Sequence, residues 1–129
     1  MVIDTSALVA IFAGEPERRR FIEAIEGAEV RLISAGTFVE TSIVLDARYG
    51  AEGLRLFDRF RERAGLDLVD VDEQQSREAR QAYSRFGKGR HPAGLNFGDC
   101  FSYALAVTSG DPLLFKGDDF AQTDVESVF

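Results

Sequence analysis

Four stretches of this chain carry carboxylates suited to chemistry: Asp4 in VIDTS, Glu40 in FVETS, Asp99 in NFGDC, and the pair Asp118 and Asp119 in KGDDF. Taken singly, each has an ordinary structural explanation. Asp4 suits a cap for the residues that follow it, and Glu40 suits a helix surface. Asp99, three positions after Asn96, suits a capping box in which it reaches back to the Asn96 amide. It would also sit favourably on the helix dipole there, worth roughly 0.3–1 kcal/mol. Asp118 and Asp119 suit a turn with Gly117. Taken together they mean more. Carboxylates crowded at one place repel, and without a cation some must hold a proton. Oxygen ligands suit Mg²⁺ or Mn²⁺ rather than zinc. No Cys/His cluster competes, because the chain has one cysteine and one histidine. Such an acidic rim suits phosphoryl transfer, where a metal activates water and neutralises charge on phosphate.

Bringing these acids together requires a particular order of elements. Val2 and Ile3 open a short buried strand, and residues 6–12 form a turn or helix ended by Gly14. Pro16 suits the first position of a helix that carries Phe21, Ile22 and Ile25 and stops at Gly27. Residues 30–34 alternate like a strand. Residues 37–49 form a helix with Phe38, Val39, Ile43, Val44 and Ala47 on a wide apolar face. After Gly50, a second helix over residues 52–64 carries Leu54, Phe57 and Phe60. Residues 66–71 read as a third strand. Asp72 then caps a helix, with Gln75 completing a capping box, and that helix buries Ala79, Ala82, Tyr83 and Phe86. The loop KGRHPAGL leads to a helix from the cap Asn96 to about Thr108. Residues 113–115 form a strand and residues 125–128 a last one.

Strands alternating with helices imply a parallel α/β sheet covered on both faces. In such sheets ligands bind outside the carboxyl ends of the strands. Asp4 directly follows the first strand, and Asp118 and Asp119 lie just beyond residues 113–115. Glu40 falls in the first turns of the helix after the second strand. Asp99 reaches the same edge if residues 87–95 complete the crossover.

At 129 residues, with 45% hydrophobic residues and 11 phenylalanines, the chain suits one domain with a real core. No apolar stretch is long enough to span a membrane. The apolar start is interrupted by Asp4 and lacks a basic segment, unlike a signal peptide. With one cysteine as well, a cytoplasmic location is expected. Cys100 reads as a small buried residue and His91 as part of a loop. The net charge of −7 argues against a broad grip on nucleic acid. A local basic path remains. Residues 79–98 contain no acid, yet hold Arg80, Arg85, Lys88 and Arg90 with Tyr83, Phe86 and His91. The helices over residues 37–64 carry more apolar surface than one buried face each needs, which suits a dimer interface or a partner groove.

In this order, MVIDTSALVAIF, TFVETSIVL, NFGDCFSYALA and LLFKGDDFAQTDV resemble the PIN-domain ribonucleases, and among them the VapC toxins of bacterial toxin–antitoxin pairs. The resemblance implies one PIN domain over residues 1–129, an α/β fold in the form of a three-layer α/β/α sandwich with a central parallel sheet. It implies an endoribonuclease dependent on Mg²⁺ or Mn²⁺, homodimeric, and held inactive by a cognate antitoxin. By the motifs, the four family acids fall on Asp4, Glu40, Asp99 and Asp118, with Asp118 preferred to Asp119. Asp4 and Asp99 would hold the metal, and Glu40 would bind a second metal or orient the attacking water. Ser6 and Asn96 would support them, while Arg85, Lys88, Arg90 and Lys116 would guide RNA phosphates. The alternative is a non-catalytic PIN-like module that binds RNA or protein, which would lack one of the acids. A receiver domain would pair two acids after the first strand. A dehalogenase-like phosphatase would want aspartate where Ser6 stands.

Overall fold

Val2 and Ile3 make up the whole of β1 (Val2–Ile3), and they belong to different cores. Successive residues of a strand point to opposite faces, so even this short strand needs cover on both sides. The structure, a computed structural model, describes residues 1–129. The other strands are β2 (Leu32–Ser34), β3 (Asp67–Val69) and β4 (Leu113–Leu114). The helices are α1 (Thr5–Phe12), α2 (Arg18–Gly27), α3 (Ala35–Ala64), α4 (Glu73–Phe86) and α5 (Phe97–Ser109), and a 3₁₀ turn follows at Phe120–Gln122.

All pairings are parallel, in the order β3-β2-β1-β4, with Val2 opposite both Leu32 and Leu113. One core joins Ile3, Ile33 and Leu114 to residues of α1, α2 and α3, including Leu8, Phe21, Leu45 and Phe57. The other joins Val2 and Leu113 to α4 and α5 through Ala82, Phe86, Tyr103 and Leu105. The result is the expected three-layer α/β/α fold with a central parallel sheet. No helix is long and apolar enough to cross a membrane.

Several boundaries differ from the sequence expectation. Residues 37–49 and 52–64 belong to one 30-residue element, α3, kinked at Gly50, whose φ of 65° and ψ of −154° leave the helical region. A positive φ of this kind favours glycine. Helix α2 begins at Arg18, because Pro16 and Glu17 form a turn before it. Asp72 caps α4 by accepting from the Gln75 amide at 2.8 Å, but no capping box forms. The buried Gln75 side chain donates instead to the Asp70 carbonyl at 2.9 Å, answering the end of β3. Strand β3 is shorter than residues 66–71 because it lies at the sheet edge with little cover. Residues 125–128 contribute only a bridge from Ser127 to Leu113. Tyr83 is 40% exposed rather than buried, and faces a cleft between α4 and α5.

Candidate active site

From β1 the chain moves to β2 and β3 on one side, then crosses to β4 on the other side of β1. Strand order therefore reverses between β1 and β4, and a crevice opens at their carboxyl ends. Asp4 sits there. Its amide remains in the ladder, donating to the Leu114 carbonyl at 3.0 Å. Its side chain caps α1, with Oδ2 accepting from the Ser6 amide at 2.9 Å and from Ser6 Oγ at 2.7 Å. Oδ1 accepts from Ser102 Oγ of α5 at 2.6 Å, and Ser102 Oγ lies 2.9 Å from Thr37 Oγ1 of α3. Asp4 is 2% exposed, so these hydroxyls do the work of water around it. Ser6 Oγ also accepts from the Lys116 amide at 2.9 Å, which ties the exit of β4 to α1.

Glu40 projects from the second turn of α3. Its Oε1 accepts from Thr5 Oγ1 at 2.5 Å, and Thr5 Oγ1 accepts from Thr41 Oγ1 at 3.0 Å. The carboxylate lies against Gly98, where any Cβ would overlap it. Burial raises the Glu40 pKa; the Thr5 bond opposes this and the charge of Asp4 adds to it. Asp99 completes a true capping box with Asn96. The Asp99 amide donates to Asn96 Oδ1 at 2.9 Å, and Asp99 Oδ2 accepts from the Asn96 amide at 3.0 Å.

Burial pushes the Asp99 pKa up to about 7; the Asn96 amide opposes the shift, and the charges of Asp4, Asp119 and Glu40 add to it. Four carboxylates from four parts of the chain thus share one field. The fourth comes from the turn that carries the adjacent Asp118 and Asp119. Of this pair, Asp119 is the one whose charge raises the Asp99 pKa, and buried Phe120 anchors the turn that follows it. None of these carboxylates is paired with a lysine or arginine, since the ion pairs all involve other acids.

The arrangement fits a hard divalent cation. Asp99 Oδ1, Glu40 Oε2 and both Asp119 carboxylate oxygens accept no hydrogen bond from the protein, while the other oxygens of Asp4, Glu40 and Asp99 are oriented by it. No three acids stand close enough to enclose an ion by themselves. Mg²⁺ is commonly held by one or two carboxylates while it keeps several waters. Sequence reasoning missed the supports Thr5, Thr37, Thr41, Ser102 and Gly98. The position of Ser102 was the available signal, because three residues after Asp99 it falls on the same helix face.

Two of the expected phosphate guides are otherwise engaged. Arg85 pairs with Asp124 at 3.4 Å, and Asp124 also accepts from the Tyr103 hydroxyl at 2.6 Å. Lys116 pairs with Glu15 and, at 3.1 Å, with Glu17. Lys88 and Arg90 are exposed and have no carboxylate partner. His91 Nδ1 accepts from the Ala93 amide at 3.0 Å, and its ring packs edge-on to Phe86, so it organises the loop. That loop closes on itself through parallel pairing of Gly87 with Leu95, which returns the chain to start α5 beside the acids. Cys100 donates to the Asn96 carbonyl at 3.2 Å, and burial pushes its thiol up to about 11, away from nucleophilic use.

A pH effect follows from Asp99. Below pH 4 it is protonated in both the folded and unfolded chain. Between pH 4 and 7 the unfolded chain loses this proton and the folded one keeps it, so stability falls as pH rises. In EDTA, wild type is expected to lose melting temperature across this window more steeply than Asp99→Asn. Parallel melting curves with pH would remove this account of the site.

Comparison with known proteins agrees with the fold. The PIN domain family profile matches residues 1–126. The VapC ribonuclease Mb0640 of Mycobacterium bovis is 54% identical over 128 residues, covering 99% of this chain and 98% of the relative. Ribonuclease VapC of Mycolicibacterium smegmatis is also 54% identical over 128 residues, covering 99% of both chains. Among solved structures, the Mycobacterium tuberculosis toxin VapC20, described as cleaving the sarcin–ricin loop, superposes with a TM-score of 0.79. It is 19% identical, and the match covers 98% of this chain and 97% of that one. VapBC2 of Rickettsia felis, solved bound to a DNA fragment from its promoter, gives a TM-score of 0.72 at 14% identity, covering 98% and 94%. The chain belongs to the PIN-domain family, among its VapC members.

Proposed function

We propose that this chain is an endoribonuclease toxin that hydrolyses RNA phosphodiester bonds with a divalent metal and is silenced by a cognate antitoxin. The observation that carries the reading is the cluster of Asp4, Glu40, Asp99 and Asp119, which share one field with no basic side chain to balance it. The VapC relatives described as ribonucleases support the activity. Solved neighbours described as toxin–antitoxin complexes support the partner. Val39 and Ile43, 54% and 64% exposed on α3, offer apolar surface for a homodimer or for the antitoxin. Both RNA and antitoxin would be met in the cytoplasm.

Asp4 and Asp99 would hold Mg²⁺ or Mn²⁺, with Asp119 contributing through water. When bound, the ion supplies charge neutralisation at the phosphate and makes water more acidic. Glu40, fixed by Thr5 at Oε1, keeps Oε2 free to take the proton of the attacking water. Burial raises its pKa and so makes it a stronger base than an ordinary glutamate. A bond forms from the water oxygen to phosphorus, and the bond from phosphorus to the 3′ oxygen breaks. The departing oxygen takes a proton from solvent. The products are a 5′-phosphate and a 3′-hydroxyl. Lys88 and Arg90 attract the RNA backbone to the rim of an otherwise acidic protein.

The test is cleavage of structured RNA by the purified chain with Mg²⁺ or Mn²⁺, with and without EDTA. Cutting that EDTA stops is the expected result. RNA left intact with both metals refutes the activity, and cutting indifferent to EDTA refutes the metal. In cells, induction is expected to arrest growth, and co-expression of a small reading frame beside the gene is expected to relieve the arrest.

A further inference from the structure

Helices α4 and α5 do not close fully against each other near the acids. Between them lies a cleft of about 510 Å³, whose lining includes Arg80, Tyr83, Lys88, Asn96, Phe97 and Phe101. Its floor and walls are mostly apolar, and its polar groups stand at particular places. Asn96 belongs both to the cleft and to the capping box that holds Asp99. Phe97 is 78% exposed, two residues before Asp99, and stands edge-on to Phe101 with ring centroids 4.9 Å apart. Phe101 is held in turn against Gly36 of α3, where no Cβ would fit. Tyr83 is 40% exposed on the α4 side. The cleft therefore presents aromatic surfaces on both sides, one of them braced from behind.

Charge selects the occupant. The protein carries a net charge of −7, yet residues 79–98, which supply much of this cleft, contain no acid. Arg80 and Lys88 are exposed at its rim and neither is in an ion pair with a carboxylate. Apolar protein segments need no such cations. A nucleotide needs both parts, an aromatic surface for the base and a cation for the phosphate.

We infer that the cleft between α4 and α5 receives one unpaired nucleobase of the RNA strand being cut, stacked against Phe97 and Tyr83, with Arg80 and Lys88 on the flanking phosphates. The inference rests on the proposed ribonuclease reading and adds a subsite to it. It places a splayed-out base beside the acids, so the strand is presented in single-stranded form at the scissile bond. Single-stranded loops and bulges are where side chains reach unstacked bases.

The test uses short single-stranded RNAs carrying 2-aminopurine at one position at a time, mixed with the Asp4→Asn chain and Mg²⁺. Stacking quenches 2-aminopurine fluorescence, so one position next to the cut site of wild type is expected to be quenched most. Phe97→Ala added to Asp4→Asn is expected to restore that fluorescence and weaken binding about tenfold. Exposed Phe97 leaves the core intact, which a melting curve checks. Lys88→Ala and Arg80→Ala are each expected to lower the salt dependence of binding by about one counterion.

Quenching at no position, or quenching indifferent to Phe97→Ala, overturns the subsite even when wild type cuts RNA normally. No quenching, with Phe97→Ala turning a dimer into a monomer or losing a protein partner, makes this face a protein interface and also overturns it. A wild-type chain that leaves RNA intact but quenches one position through Phe97 keeps the subsite and removes the ribonuclease reading.

Discussion

Replacing Asp4 with asparagine is expected to lower RNA cleavage by 10²–10³-fold, the order expected for removing one electrostatic stabiliser of a transition state, while the protein still folds. The local bonds explain the split. Asparagine keeps one oxygen, which can accept from the Ser6 amide and hydroxyl as Asp4 Oδ2 does. Asparagine is also as good a helix cap as aspartate. Its amide nitrogen then faces Ser102 Oγ, which can turn to accept it while donating to Thr37. What disappears is one negative charge from a group of four. Without metal, that loss relieves Asp99, whose pKa the Asp4 charge helps to raise. The variant should therefore melt within a few degrees of wild type in EDTA, and gain less from added Mg²⁺. Wild-type cleavage by Asp4→Asn would remove Asp4 from the machinery. A variant that fails to fold would make Asp4 a structural cap.

Gly98→Ala is expected to separate activity from stability in a second way. A helical glycine replaced by alanine ordinarily gains about 1 kcal/mol of stability. At Gly98 the added methyl group would occupy the space of the Glu40 carboxylate. That carboxylate is the end of a flexible side chain and can swing away at little cost to the fold. Swinging away breaks the bond to Thr5 Oγ1 and removes Oε2 from the crevice. Cleavage is expected to fall 10²-fold or more, as for loss of a general base, with melting temperature unchanged or raised. The companion variant Glu40→Gln should lose a similar factor, and the double variant should lose little more, because both remove one function. Fully additive losses would mean that Gly98 acts elsewhere.

The fold and the acids differed in how far the sequence disclosed them. Alternating apolar strands and amphipathic helices were legible because burial on both sheet faces requires them. The capping box of Asn96 and Asp99 was legible because it is local, its two partners lying three residues apart. Contacts between distant elements were not. The local pattern puts Ser102 on the helix face of Asp99, but it does not say that Ser102 meets Asp4 across 98 positions, or that Gly98 makes room for Glu40. The choice between Asp118 and Asp119 was hard to read for a related reason. Motif order locates the pair, but which charge acts on Asp99 depends on how the turn ahead of Phe120 is folded. Arg85 and Lys116 likewise looked like free cations until the fold brought Asp124, Glu15 and Glu17 to them.

The amide of Asp4 still donates to the Leu114 carbonyl, so the first acid of the site is the last rung of the central ladder. Rungs in a buried sheet open only when the whole molecule opens. Proton exchange at the Asp4 amide should therefore report global unfolding, as slow as that of Ile3 and far slower than that of Gly117 or Asp118. Anchored this way, the first acid keeps its place for as long as the sheet stays closed. A cation bound at the crevice would then meet an Asp4 whose backbone is already in place, and a cover over the crevice would act on a site that is already formed.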